Sequence, residues 1–314
     1  MLLDIILLVV GFVLLIKGAD VFVEGASKVA AKFYIPEIVI GLTIVAFGTS
    51  APEAAVSIAS AYKGTAGIAV GNIIGSNICN VLLILGVAGM IASLKVKKNT
   101  LKIETPFVVG ITVLLLVLGL NGNSVSRLDG VILWVFFIAF LTYLYWLSKN
   151  GDEDAIEDVP ELEESDTLLK LIIMIVLGIV CIVVGSNVTV DAASNIATSF
   201  GVSDRIIGLT IVAFGTSLPE LVTSVSASLK GKNDIAVGNI IGSNIFNVLF
   251  VLGTASIVSP TAIPFASTFM LDFSIAIAAL IIFMLFINRK EMALRKSGAA
   301  LMFACYIAYI ICIL

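Results

Sequence analysis

The chain has 314 residues, of which 60% are hydrophobic and 13% charged, with a formal net charge of −4 and no histidine. Its mean hydropathy is +1.15. That leaves too little polar surface to cover a soluble globule of this size, so the chain reads as a polytopic membrane protein. The basic residues form no nucleic-acid-like stripe, and four scattered cysteines without histidine argue against an imidazole and thiolate metal site. Oxygen ligands for hard cations are what remain.

A bilayer core of about 30 Å is crossed by about 20 apolar residues. On that basis ten spans are predicted, near residues 2–22, 37–61, 68–91, 106–120, 128–148, 168–189, 205–228, 236–258, 266–287 and 298–313. The first has neither a basic leader nor a small-residue cleavage site, and is expected to be a helix of the mature protein. The fourth is short. Cys79, Cys181, Cys305 and Cys312 all fall inside spans without paired spacing, which suits packing.

Between the fifth and sixth spans lies "NGDEDAIEDVPELEESD", residues 150–166, with nine acids and no base. Like charges repel, so a solvated linker is expected. Loops after the odd-numbered spans hold fourteen Lys and Arg (28, 32, 95, 97, 98, 102, 149, 170, 230, 232, 289, 290, 295 and 296). The opposite face holds three, Lys63, Arg127 and Arg205. The positive-inside rule then makes the richer face cytoplasmic and places both termini outside, with the plasma membrane as the expected location. Nothing in the sequence implies an oligomer.

Shifting the chain by 167 residues aligns Gly11 with Gly178, Gly18 with Gly185, Gly48 with Gly215 and Gly71 with Gly238, without a gap. "IGLTIVAFGTS" at 40–50 is identical to 207–217, and "GNIIGSNI" at 71–78 to 238–245. This is an internal duplication. Five spans per copy is an odd number, so the second copy enters the membrane from the other side. The expected fold is all-α, with ten transmembrane helices in two inverted five-helix repeats, 1–149 and 167–314, joined by the linker 150–166.

Each "GTS" word runs into proline and glutamate. Residues four apart share a helix face, so Thr49, Ser50 and Glu53 present two hydroxyls and a carboxylate, as do Thr216, Ser217 and Glu220. Pro52 and Pro219 cannot donate to the carbonyls of Gly48 and Gly215, which frees backbone oxygen; the Ala46 and Ala213 carbonyls are further candidates. The next span of each copy carries Asn72, Ser76 and Asn80, or Asn239, Ser243 and Asn247, on one stripe. Gly71 and Gly75, like Gly238 and Gly242, form a small-xxx-small face that on its own reads as helix packing. Two intramembrane glutamates without a nearby base are a functional site by default, and a divalent cation would relieve their repulsion. Asp20, which aligns with Asn187, is not explained by this site.

The words "GTSAPE…GNIIGSNICN" and "GTSLPE…GNIIGSNIFN" resemble the two alpha-repeats of the sodium/calcium exchanger family, over both halves of the chain. The resemblance implies an antiporter with a calcium site at Thr49, Glu53, Thr216 and Glu220. It implies sodium sites at Ala46, Thr49 and Ser76 and at Ala213, Thr216 and Ser243, with Asn80 and Asn247 completing the middle. Some relatives have aspartate where this chain has Asn247, which removes one charge here. Calcium and sodium are then substrates, no cofactor is expected, and the chain is not an enzyme. Two carboxylates balance one calcium or two sodium ions, so a third sodium would make exchange electrogenic. Proton/calcium exchange, potassium-dependent exchange and a cation channel are the alternatives.

Overall fold

The computed structural model describes residues 1–63, 67–150, 162–163, 165–201, 213–266, 269–288 and 290–313. Nearly all regular structure is helical, because a segment in hydrocarbon must satisfy its own backbone hydrogen bonds. In chain order the helices are α1 (Leu2–Phe33), α2 (Glu37–Thr49), α3 (Ala51–Tyr62), α4 (Ala69–Ile91), α5 (Thr100–Leu120) and α6 (Arg127–Asn150). The second half supplies α7 (Leu168–Ser199), α8 (Ala213–Gly215), α9 (Leu218–Leu229), α10 (Asn233–Val258), α11 (Phe269–Phe286) and α12 (Lys296–Ile313). Among the described residues seven helices are long and apolar enough to cross a membrane, or eight when the bent pair α2 and α3 counts as one span. The expected ten is not reached by this measure. Residues 205–212 of the seventh span lie outside the described residues, and α12 is one of the shorter apolar helices.

Boundaries also moved. The fourth span was expected at 106–120 but begins at Thr100, because Glu104, which breaks the apolar run in sequence, is buried and accepts a hydrogen bond from Tyr143. The first and sixth spans continue to Phe33 and Ser199, beyond the apolar stretch, along a helix–helix seam.

That seam is the contact of α1 with α7, two 32-residue helices. A Cβ on Gly18 would sit 2.7 Å from Cys181 Cβ, and one on Gly178 would sit 2.7 Å from Phe22 Cβ. Only hydrogen fits there, which is how small residues bring membrane helices together. The pair remains peripheral: its apolar windows are 22% buried, against 83% for α4 and 94% for α10. The two polar stripes therefore lie in the protein centre, away from lipid.

Short strands close the loops: β1 (Leu94–Lys95), β2 (Ser124–Val125), β3 (Ile263–Pro264), β4 (Ile287–Asn288) and β5 (Ala293–Leu294). β1 pairs antiparallel with β5, which also pairs with β4, while β2 pairs with β3. Each cross-half pair ties a loop of the first half to one of the second.

The expected solvated linker ends on a buried residue, after exposed Leu162, Glu163 and Ser165. Residues 151–161 and 164 lie outside the described residues, but Asp166 is 2% exposed. Its carboxylate meets Lys170 at 2.8 Å and Lys28 at 3.1 Å, and Lys32 Nζ donates to its main-chain oxygen at 2.7 Å. The Lys170 hydrogen bond, aided by Lys28, holds the Asp166 carboxyl down at about 2. Three lysines from α1 and α7 outweigh the cost of burying this acid, which composition alone assigned to water.

Candidate functional site

The "GTS" words break their helices. Ser50 at φ −83°, ψ 8° and Ser217 at φ −91°, ψ 3° are matching non-helical residues. Pro52 and Pro219 then restart the chain in the first turns of α3 and α9. Proline lacks the N–H that a continuing helix needs, but fits a first turn well. The bend between α2 and α3 is 54°. Glu53 and Glu220 consequently lie in first turns, where the positive end of the helix dipole favours a carboxylate. Both are 1% exposed.

The break changes the grouping expected from helical spacing. Thr49 and Glu53 fall on two different helices, and the hydroxyls serve the opposite copy. Ser50 Oγ donates to Glu220 Oε1 at 2.7 Å, and Ser217 Oγ donates to Glu53 Oε1 at 3.4 Å. The Thr49 and Ser243 hydroxyls also lie beside Glu220, and the Thr216 hydroxyl beside Glu53. The two carboxylates are near enough to repel one another.

Wider π-helical turns shape the facing helices, at Cys79–Ile84 in α4 and Asn247–Leu252 in α10. Such bulges re-aim side chains and gather at functional positions. Asn80 and Asn247 sit in them. Asn80 Nδ2 donates to Asn244 Oδ1 at 3.0 Å, and Asn247 Nδ2 donates to Asn77 Oδ1 at 3.1 Å. Asn77 Nδ2 reaches the Asn244 carbonyl at 3.3 Å, and Asn244 Nδ2 the Asn77 carbonyl at 3.4 Å. With their NH₂ groups committed, Asn80 and Asn247 keep their oxygens free for the site. Sequence reading missed Asn77 and Asn244, although both stand in the repeated word "GSNI".

Several buried oxygens have no hydrogen-bond partner: Glu53 Oε2, Glu220 Oε2, Asn80 Oδ1, Asn247 Oδ1 and Ser243 Oγ. An unsatisfied buried polar atom costs about 1–3 kcal/mol, and five of the thirteen among the described residues belong to the paired glutamates and the helices facing them, a set that suits something electropositive. Among the described residues neither glutamate pairs with Lys or Arg, and no three His, Cys, Asp or Glu side chains converge. Two carboxylates supplemented by amide and hydroxyl oxygen form a hard-cation donor set.

The backbone candidates fare differently. The Gly215 carbonyl freed by Pro219 is not open, because Ser186 Oγ on α7 donates to it at 2.8 Å. The Ala46 carbonyl accepts from Ser50 N–H at 3.0 Å and Thr49 Oγ1 at 3.3 Å. Ala213 stands at the edge of the described segment, and Ser76 is buried in α4. Asn239 is a brace: its Oδ1 accepts from Thr49 at 2.9 Å while its Nδ2 donates to Ser224 at 2.9 Å. Asn72 donates to Ser57 at 3.0 Å in the matching place. Gly238 and Gly242 pack: their added Cβ atoms would come 3.0 Å from Gly41 Cα and 2.8 Å from Leu42 Cα, which draws α2 against α10.

The sodium/calcium exchanger protein family model matches residues 3–146 and 170–314. The putative antiporter CaxA of Alkalimonas amylolytica is 43% identical over 85% of this chain and 84% of its own length. The sodium/calcium exchanger MaX1 of Methanosarcina acetivorans is 35% identical over 98% of this chain and 97% of its own. The solved sodium-calcium exchanger NCX_Mj, soaked with sodium and calcium, superposes with a TM-score of 0.84 at 32% identity, covering 99% of this chain and 98% of that one. With duplicated words, crossed hydroxyl–carboxylate pairs and these relatives in agreement, the chain belongs to the sodium/calcium exchanger family.

Proposed function

We propose that the protein is a secondary antiporter that exchanges sodium for calcium by alternating access, electrogenically, from the plasma membrane. The observation that carries this reading is the set of five unpartnered buried oxygens on Glu53, Glu220, Ser243, Asn80 and Asn247. Calcium as substrate would bridge the two carboxylates. Sodium ions would replace it on the same carboxylates and on Thr49, Thr216, Ser50, Ser217, Ser76, Ser243, Asn80, Asn247 and the Ala46 and Ala213 carbonyls. A third sodium adds a charge that the two carboxylates do not match.

Ten spans in two inverted repeats, 1–149 and 167–314 about the linker 150–166, complete the proposal. Loops can pair only on one side of a bilayer. The pairing of β1 with β5 therefore needs an even number of crossings between them. Helices α5, α6, α7, α10 and α11 supply five, and on this reading the segment holding α9 supplies the sixth. The contacts of Lys97 with Asp234 and of Lys28 with Asp166 support the same parity. In a cysteine-free background, cysteines at Asn123 and Ser165 should be labelled from opposite faces; labelling from one face would refute the topology. The function is tested in proteoliposomes by imposing sodium, potassium and proton gradients separately. An outward sodium gradient alone should drive calcium uptake and shift with membrane potential, and uptake driven only by protons or only with potassium would refute it.

A further inference from the structure

The two copies are not joined to the long helices α1 and α7 in the same way. Asp20 of α1 reaches the C-terminal end of α9, the helix whose first turn carries Glu220. Ser226 Oγ donates to Asp20 Oδ1 at 2.7 Å. Lys230 Nζ donates to the Asp20 main-chain oxygen at 2.7 Å and lies 3.5 Å from its carboxylate. Ser226 is buried, so its hydroxyl depends on this acceptor, and α1 packs along α9 beside it.

The corresponding positions in the other copy are Asn187 on α7, and Ala59 and Lys63 at the end of α3. All three are exposed, and among the described residues α7 shows no comparable packing along α3. Both copies keep the lysine. Only one has the acid and the hydroxyl.

We propose that Asp20, Ser226 and Lys230 form a one-sided latch that positions the Glu220 helix against α1 and closes the cytoplasmic approach to the site. The inference rests on the antiporter reading and its topology. Opening the cytoplasmic side requires the end of α9 to leave α1, which breaks a charge-assisted hydrogen bond and strands a buried serine. The mirror movement on the outer side breaks no such contact. The empty exchanger therefore favours its outward-open state, and Asp20 acts through helix position without touching the ion.

The test measures apparent calcium affinity from each face of proteoliposomes carrying the full chain in one orientation. Ser226→Ala and Asp20→Asn should tighten the cytoplasmic apparent affinity and weaken the outer one, each by up to about fivefold, the scale of a partly exposed charged contact. Building the missing latch, with Ala59→Ser and Asn187→Asp beside the resident Lys63, holds the outer side closed instead and should shift both affinities in that same direction. Unchanged affinities on both faces, or equal loss on both, would overturn the latch. Should Asp20→Asn fail to insert, Ser226→Ala and the built outer latch still decide. A parent protein with no sodium-driven calcium flux would instead overturn the antiporter reading.

Discussion

At the centre of the molecule the two copies mirror each other, and at its rim they do not. The Asn80–Asn244 and Asn247–Asn77 hydrogen bonds measure 3.0 and 3.1 Å, and each breaks its helix at the same serine. At the rim, Asp20 is bonded where Asn187 is exposed. On the proposed alternating-access reading, a site that serves both sides of a membrane needs matching halves around the ion. On the proposed latch, the rim sets which side is open, and there a difference between the halves is useful.

The strongest way to break the central symmetry is to remove a charge. Glu53→Gln and Glu220→Gln should each weaken calcium affinity by about 100-fold or more, the scale of removing one buried charged partner. Insertion should survive, because a neutral amide is easier to bury than a carboxylate. Equilibrium calcium binding to the purified variants checks both, and near-normal binding in either would remove that residue from the site.

Asn247 comes next. Asn247→Asp adds a third carboxylate, so repulsion should raise the proton affinity of the cluster and make calcium flux more sensitive to mild acid. Asn247→Leu removes the donor and should impair flux at every pH. Flux from about pH 5.5 to 8.5 separates them, since raised carboxylate pKa values fall in that range. Equality of both variants with the parent would place Asn247 outside the site.

A smaller effect is expected one shell further out. Asn77→Leu and Asn244→Leu leave the amides of Asn247 and Asn80 without their acceptors, at a cost of about 1–3 kcal/mol. Calcium affinity should fall about tenfold in each, and by similar factors if the centre is symmetric. Widely unequal losses would show that one half holds the ion more than the other.

The smallest effect concerns the linker end. Folding depresses the Asp166 carboxyl from 3.8 to about 2, so the contact contributes fully above 3.8 and is lost as pH falls through about 2. A fluorophore on Ser165→Cys should report release only in that acid window, or at neutral pH after Asp166→Asn. Release of the parent near neutral pH would contradict the lysine cage.

Much of this was legible in the sequence. Composition gave the membrane class, and repeated words gave the duplication and most of the polar site, because apolar length and identical motifs are local properties of the chain. Asn77 and Asn244 were visible as letters, but their partners are 164, 167 and 170 residues away in the chain, beyond any helical spacing rule. The same holds for Gly215, whose carbonyl is open by local proline chemistry and closed by Ser186 from another helix.

The sequence by itself therefore determined which groups the chain brings to its centre: one carboxylate among neutral oxygens with no base beside it, written twice in an apolar chain. Only the tertiary structure decided how they combine. Breaking each helix at a serine sends Ser50 to Glu220 and Ser217 to Glu53. The burial of Asp166 and the one-sided contact of Asp20 were likewise decided by which lysines and hydroxyls the packing brought near. Local spacing fixes which side chains share a turn, whereas a hydrogen bond between copies depends on how two distant helices pack, and that is set by the shape of the whole bundle.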